Sequence, residues 1–158
     1  MALRTIRTEG DPVLAKKAKP ITKVDSKIEL LIEDMFDTMY DAYGVGLAAP
    51  QIGILKQIIV IDIGEGPLVL INPVIVEQDG TQTGDEGCLS VPGMTGTVTR
   101  PNHVKVKARD ENFEEIEIEG TGFLARAICH EYDHLEGKMY TRLVEGELRH
   151  VYEEAVDE

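Results

Sequence analysis

The pentad "HEYDH", His130 to His134, places two histidines four residues apart with a glutamate directly after the first. On a helix, residues four apart lie on one face, so both imidazoles can reach a common point. Imidazole is an acceptable ligand for zinc, iron, nickel and cobalt alike. A glutamate in this position usually acts as a general base on the water a metal activates, and does not itself ligate. The competing reading is a pair of solvated histidines on a charged face. Phe123 and Ala127 fall on the same helical face, which marks it as buried, and buried polar groups need partners. A metal site follows, but two imidazoles do not complete one.

The third ligand has to come from elsewhere. The only histidine downstream is His150, 16 residues beyond His134 in a polar segment. Cys129 adjoins His130, and one residue is a rotation of about 100° round a helix. It therefore reads as a small buried hydrophobe. Cys88 remains, in "GDEGCLSVPG", with Gly84, Gly87 and Gly93 around it. A thiolate there could approach the two imidazoles if its segment packs against the helix. One cysteine, two histidines and an open fourth position make a catalytic arrangement and not a closed structural one.

The elements that must position these groups can be read from pattern. "SKIELLIEDMFDTMYDAYG" places Ile28, Leu31, Ile32, Met35 and Met39 on one face at helical period. Ser26 and Glu29 have capping-box spacing, and Gly44 can end the helix. A glycine-rich loop, "GVGLAAPQIG", follows. "KQIIVIDI" and "PLVLINPVIV" are β-branched runs bounded by glycine and proline, which predicts strands. "HVKVKARDENFEEIEIEG" alternates on both sides of "DEN", a hairpin signature. A second helix is expected from about Gly122 to Glu136, stopping at Gly137. The tail from Val144 could form a short helix or fray. The order favours an α+β fold over a doubly wound sheet. The expected architecture is mixed or antiparallel strands packed around a central metal-binding helix, with an N-terminal amphipathic helix.

Composition narrows the function. The 158 residues suit one domain with its own core. The net charge of −13 argues against direct nucleic-acid binding, because phosphate repels such a surface, and "KKAKP" is too short to form a basic patch. No apolar run approaches the roughly 20 residues a membrane span needs. The start, "MALRTIRTEGDPVL", lacks the apolar core of a secretory signal. Two cysteines make no disulfide framework, so a reduced, cytoplasmic protein is expected.

Three motifs then agree. "GVGLAAPQ" (Gly44 to Gln51), "EGCLS" (Glu86 to Ser90) and "HEYDH" resemble the signature motifs of the peptide deformylases, in family order and spacing. "GDPVL", "INP" and "LARAICHEYDHLEG" extend the resemblance over most of the chain, as one catalytic domain over 1–158. The resemblance implies metal-assisted removal of the formyl group from N-terminal formyl-methionine of nascent chains, releasing formate. On this chain Cys88, His130 and His134 would bind the metal, with water in the fourth position. Glu131 would take a proton from the water and pass it to the leaving amine. The Leu89 N–H and the Gln51 side-chain amide would stabilise the oxyanion. Gly46 would hydrogen-bond an extended peptide. Val45, Phe123 and Ala127 would line the methionine pocket, or else form plain core. Gly87 would serve backbone shape. Arg100 is the expected partner of Asp133, and Glu86 a possible support for the ligands. The family metal is typically Fe²⁺, with nickel, cobalt or zinc able to substitute.

This chain departs from the family in three places. Cys129 stands where the family commonly has glutamine. "GMTGTV" lacks an arginine that some members place near the substrate. Residues 145–158 hold six acidic residues and one arginine, so a basic C-terminal ribosome-docking extension is not expected, and ribosome proximity would be transient. Two other readings stay open: a zinc endopeptidase using the same pentad, and a non-enzymatic metal-binding module with a closed site.

Overall fold

A computed structural model describes residues 2–151. Strands β1 (Gly46–Ala48), β2 (Ile58–Ile61), β3 (Leu68–Asp79), β6 (His103–Arg109) and β7 (Glu115–Thr121) form a five-stranded sheet in the order β1-β2-β3-β6-β7. Strands β4 (Gln82–Cys88), β5 (Val91–Arg100) and β8 (Glu145–His150) form a second sheet in the order β4-β5-β8. Every pairing between these strands is antiparallel. Among the described residues two α-helices, α1 (Ser26–Asp41) and α2 (Gly122–Leu135), and three short 3-10 helices complete the α+β fold.

The short run "IIVI" shows how the helices are placed. Side chains alternate across a strand, so β2 can feed two cores only if both faces are covered. Ile58 and Val60 join the cluster under α1, with Leu31, Met35, Met39 and Leu47. Ile59 and Ile61 join the cluster under α2, with Leu70, Val104, Val106 and Ile128. The unbroken apolar run in the sequence is thus a strand between two helices.

Several local expectations are corrected. Asp25, and not Ser26, caps α1, its carboxylate accepting from the Ile28 N–H at 3.0 Å. The left-handed residue that ends α1 is Tyr43 (φ 58°), not Gly44. Its N–H donates to the Tyr40 carbonyl and that of Gly44 to the Met39 carbonyl, which is a Schellman closure without glycine at the turn. Residues 82–100, for which the sequence pattern predicts no strand, form the β4–β5 hairpin. Leu89 and Ser90 make its turn, and a register shift lies between Glu86 and Cys88. The tail over Glu145–His150 is a strand on β5 and not a helix; residues 152–158 lie outside the described residues.

One ion cluster ties the far end of the large sheet. His103 sits between Asp79 of β3 and Glu119 of β7, at 3.0 and 2.6 Å from its two ring nitrogens. Glu119 first, then Asp79, pushes its pKa above the ordinary value. A protonated ring donates to both carboxylates; a neutral one can donate to only one. The stabilisation is complete below about pH 6.5, the unfolded value, and is lost as pH rises through the higher folded value. Both carboxylates face solvent, which keeps the effect small. His103→Gln should lower the melting temperature more at about pH 5.5 than at about pH 9. A pH-independent difference would show that the ring acts only through packing.

Candidate metal centre

α2 presents His130 and His134 from one buried face, with ring centroids 5.1 Å apart and near-perpendicular planes. The bulge after Glu86 re-aims the strand, a common device beside functional sites, and Cys88 meets these rings. The Cys88 Sγ lies 3.4 Å from His134 Nε2, and the donor atoms of Cys88, His130 and His134 all lie within 4.8 Å of one another. Tetrahedral coordination at ordinary metal–ligand lengths puts sulfur and nitrogen roughly 3.5 Å apart. The donor set therefore fits one divalent ion of the zinc or iron type. Cys129 does not join it. Its thiol packs in the apolar cluster beneath α2, where burial pushes its pKa up to about 11.

A buried carboxylate orients the site. Glu86 accepts from His130 Nδ1 at 2.8 Å, which leaves Nε2 of that ring for a metal. It also accepts from Arg100 Nε and Nη2 at 2.8 and 3.0 Å, and from Arg126 Nη1 at 2.7 Å. Burial alone would raise the Glu86 carboxyl; Arg100 and His130 instead hold it down to about 2. Arg100 continues to Asp133 at 2.7 Å. The expected Arg100–Asp133 pair is therefore one arm of a larger network. The sequence reading missed Arg126, which is 6% exposed and one helical turn before His130. An arginine on a helix face that must be buried is the signal that could have found it. It also missed Tyr140, fully buried with its ring 5.7 Å from that of His130.

The surrounding charges call for a cation. Burial opposes a proton on His130, yet Glu131, Cys88 and Glu86 push its pKa upward. His134 is pushed well below its ordinary value, first by burial and then by the charges of His130 and Arg100. A divalent ion among the three donors would supply the positive charge that the proton on His130 otherwise supplies.

Glu131 and Gln51 face a cleft of about 630 Å³ lined also by Val45, Gly46, Gly87, Cys88, Leu89 and His130. Burial raises the Glu131 carboxyl to about 7, and its Oε1 has no hydrogen-bond partner among the described residues. The Ala48 N–H donates to Gln51 Oε1 at 2.9 Å, which fixes the amide. Gln51 Nε2 then points at Ser90 Oγ (3.1 Å) and Cys88 Sγ (3.6 Å). A side pocket of about 130 Å³ opens from Val45, Gly87, Phe123 and Ala127, with Glu86 and Arg126 also in its wall. Ala127 is buried there, whereas Phe123 is 53% exposed, so Phe123 is not core and the helix face is not buried throughout.

Two glycines set how closely these elements approach. A Cβ on Gly44 would lie 2.6 Å from Leu89 Cδ1, and one on Gly46 would lie 2.6 Å from Glu131 Oε2. Gly46 is thus required by the space Glu131 occupies, whatever its role toward a peptide. Gly46→Ala should displace the carboxylate and lower about a hundredfold any turnover in which that carboxylate moves a proton, with metal content unchanged. Full turnover would mean that Glu131 can move aside without cost.

The family model for polypeptide deformylase matches residues 3–149. The peptide deformylase of Agathobacter rectalis is 63% identical over 158 residues, covering 100% of both chains. The crystal structure of a peptide deformylase from Legionella pneumophila superposes with a TM-score of 0.88 at 47% identity, over 91% of this chain and 87% of that one. That from Thermotoga maritima gives 0.90 at 44% identity, over 92% and 100%. With the signature residues gathered in one cleft and likeness running the length of the fold, the chain belongs to the polypeptide deformylase family of enzymes.

Proposed function

We propose that this enzyme removes the formyl group from the N-terminal formyl-methionine of nascent polypeptides, releasing formate, with the whole chain as one catalytic domain. The observation that carries the reading is the convergence of Cys88, His130 and His134 within 4.8 Å, with Cys88 and His130 in the wall of a cleft that also holds Glu131 and Gln51. Cys88, His130 and His134 hold the metal, Fe²⁺ by preference, with zinc, nickel or cobalt able to occupy the same donors. When bound, the metal polarises the formyl carbonyl and makes water a nucleophile at neutral pH.

The residues then divide the work. Glu131, raised by burial towards 7, accepts a proton from the attacking water and returns it to the departing amine nitrogen. Gln51 Nε2, held by its Oε1 bond to Ala48, stands beside Cys88 and donates to the oxygen on which charge develops, together with the Leu89 N–H. Such a donor is worth about 3 kcal/mol in the transition state. Gly46, on the unpaired edge of β1, supports an extended peptide. Val45, Phe123 and Ala127 receive the methionine side chain, with Gly87 also in the pocket wall. Arg100 and Asp133 steady the Glu86–His130 pair. Among the described residues no helix is long and apolar enough to cross a membrane.

The test is formate release from formyl-Met-Ala-Ser under anaerobic conditions, with metal analysis of the same sample. Glu131→Ala should keep the metal and lose about a hundred- to ten-thousand-fold in turnover. Cys88→Ala should lose the metal. Full metal occupancy in Cys88→Ala would refute the ligand set. Cleavage of an internal, unformylated peptide at a comparable rate would indicate an endopeptidase instead.

A further inference from the structure

Helix α2 meets the two sheets by different chemistry. Against the five-stranded sheet it buries Ala125, Ile128 and Leu135 in a continuous apolar cluster. Among the described residues, no apolar side chain of α2 joins the apolar cluster of the three-stranded sheet, built on Val91, Val98 and Tyr140; the His130 ring meets it at Tyr140, 5.7 Å between centroids. The junction on that side is polar. His130 reaches Glu86, Asp133 reaches Arg100, and Arg126 makes the remaining bonds.

Arg126 does more than neutralise Glu86. Its Nη1 donates to the Val98 carbonyl of β5 at 3.1 Å and to the Gly84 carbonyl of β4 at 3.4 Å, besides Glu86 at 2.7 Å. Its Nη2 donates to the Gln82 carbonyl at 3.5 Å. A Cβ on Gly84 would meet Nη2 only at ordinary contact distance, 3.4 Å, so the guanidinium lies directly over the β4 backbone. One buried guanidinium therefore grips the backbone of both strands. Arg126 lies one turn before His130, and Glu86 two residues before Cys88. The bonds run from the element that carries both imidazoles to the strand that carries the thiol.

We propose that Arg126 is a positioning residue for the metal centre, registering the Cys88 strand against α2 at the separation where all three donors share one ion. The inference rests on the ligand set proposed above. Backbone bonds fix where the strand lies, whereas an ion pair to Glu86 alone fixes only charge. The ring contact across this junction, His130 with Tyr140, reaches a residue outside β4 and β5 and so does not set where the Cys88 strand lies. Without Arg126 the imidazoles stay in place on α2, and the thiolate is the donor that moves.

The test uses the full chain loaded anaerobically with Co²⁺, which gives a thiolate-to-cobalt charge-transfer absorption when sulfur is bound. Arg126→Met should weaken that absorption and speed cobalt release to a chelator about ten- to hundredfold, with the far-ultraviolet circular dichroism unchanged. Arg126→Lys should recover part of the loss. The Arg126→Met effect should persist in a Glu86→Gln background, because the partners at Gln82, Gly84 and Val98 remain. Wild-type absorption and release in Arg126→Met would overturn the proposal. So would an effect that vanishes with Glu86→Gln, since Arg126 would then be a counter-charge only. If Arg126→Met does not fold, Arg126→Lys decides by the same two readings. A wild-type charge-transfer band that survives Cys88→Ser would instead refute the ligand set.

Discussion

The carboxylate of Glu86 lies where β4, β5 and α2 meet, and it accepts four hydrogen bonds from Arg100, Arg126 and His130. It is buried, so its charge is tolerable only because every lone pair faces a donor. Removing one partner of such a buried network costs about 3–5 kcal/mol, largely because the remaining charge is left stranded. The candidate metal centre hangs on this one group. It turns His130 so that Nε2 is free, it draws Arg100 towards Asp133, and it sits on the strand that delivers Cys88. A sheet and a helix that share little apolar packing are joined here by charge and by backbone bonds.

The opposite wall of the cleft is built by subtraction. β1 is an edge strand of only three residues, and Gly44 and Gly46 beside it lack the side chains that would strike Leu89 and Glu131. The backbone can then come close to Leu89 and Glu131, and Gly46 lines the cleft. Both walls stand on rigid supports. β2 is gripped on one face by the α1 cluster and on the other by the α2 cluster, and α2 is docked by an unbroken row of small and branched side chains. A hydrolytic site needs its donors fixed to well under an ångström, and this scaffold supplies that fixity without using a loop for the histidines.

Legibility followed locality. The two helices, the β6–β7 hairpin and the β2 and β3 strands were readable because each advertises a period within a dozen residues. The β4–β5 hairpin was not, because "GDEGCLSVPGMTG" is rich in glycine and poor in branched residues, and its pairing stabilises it only across the sheet. β8 was hidden in the same way: "EGELRH" becomes a strand by pairing with β5. Tyr43 at φ 58° defeats a rule that expects glycine, because the Schellman bonds and the exposed position of its ring tolerate a side chain there. Arg126 was overlooked because its partners are main-chain carbonyls and a carboxylate some 40 residues away.

By itself the sequence determined the chemistry on offer: two imidazoles on one helical face, a glutamate beside them, a glutamine, and two thiols. Helical period fixed the spacing of the histidines and already turned Cys129 away from them, because one residue is about 100° of rotation. Only the tertiary structure decided that Cys88, 42 residues before His130, arrives at the same point. That convergence depends on a bulge, on two buried arginines and on a shared carboxylate. Such long-range interactions hold only when sheet and helix are docked together, so no local pattern in the chain records them.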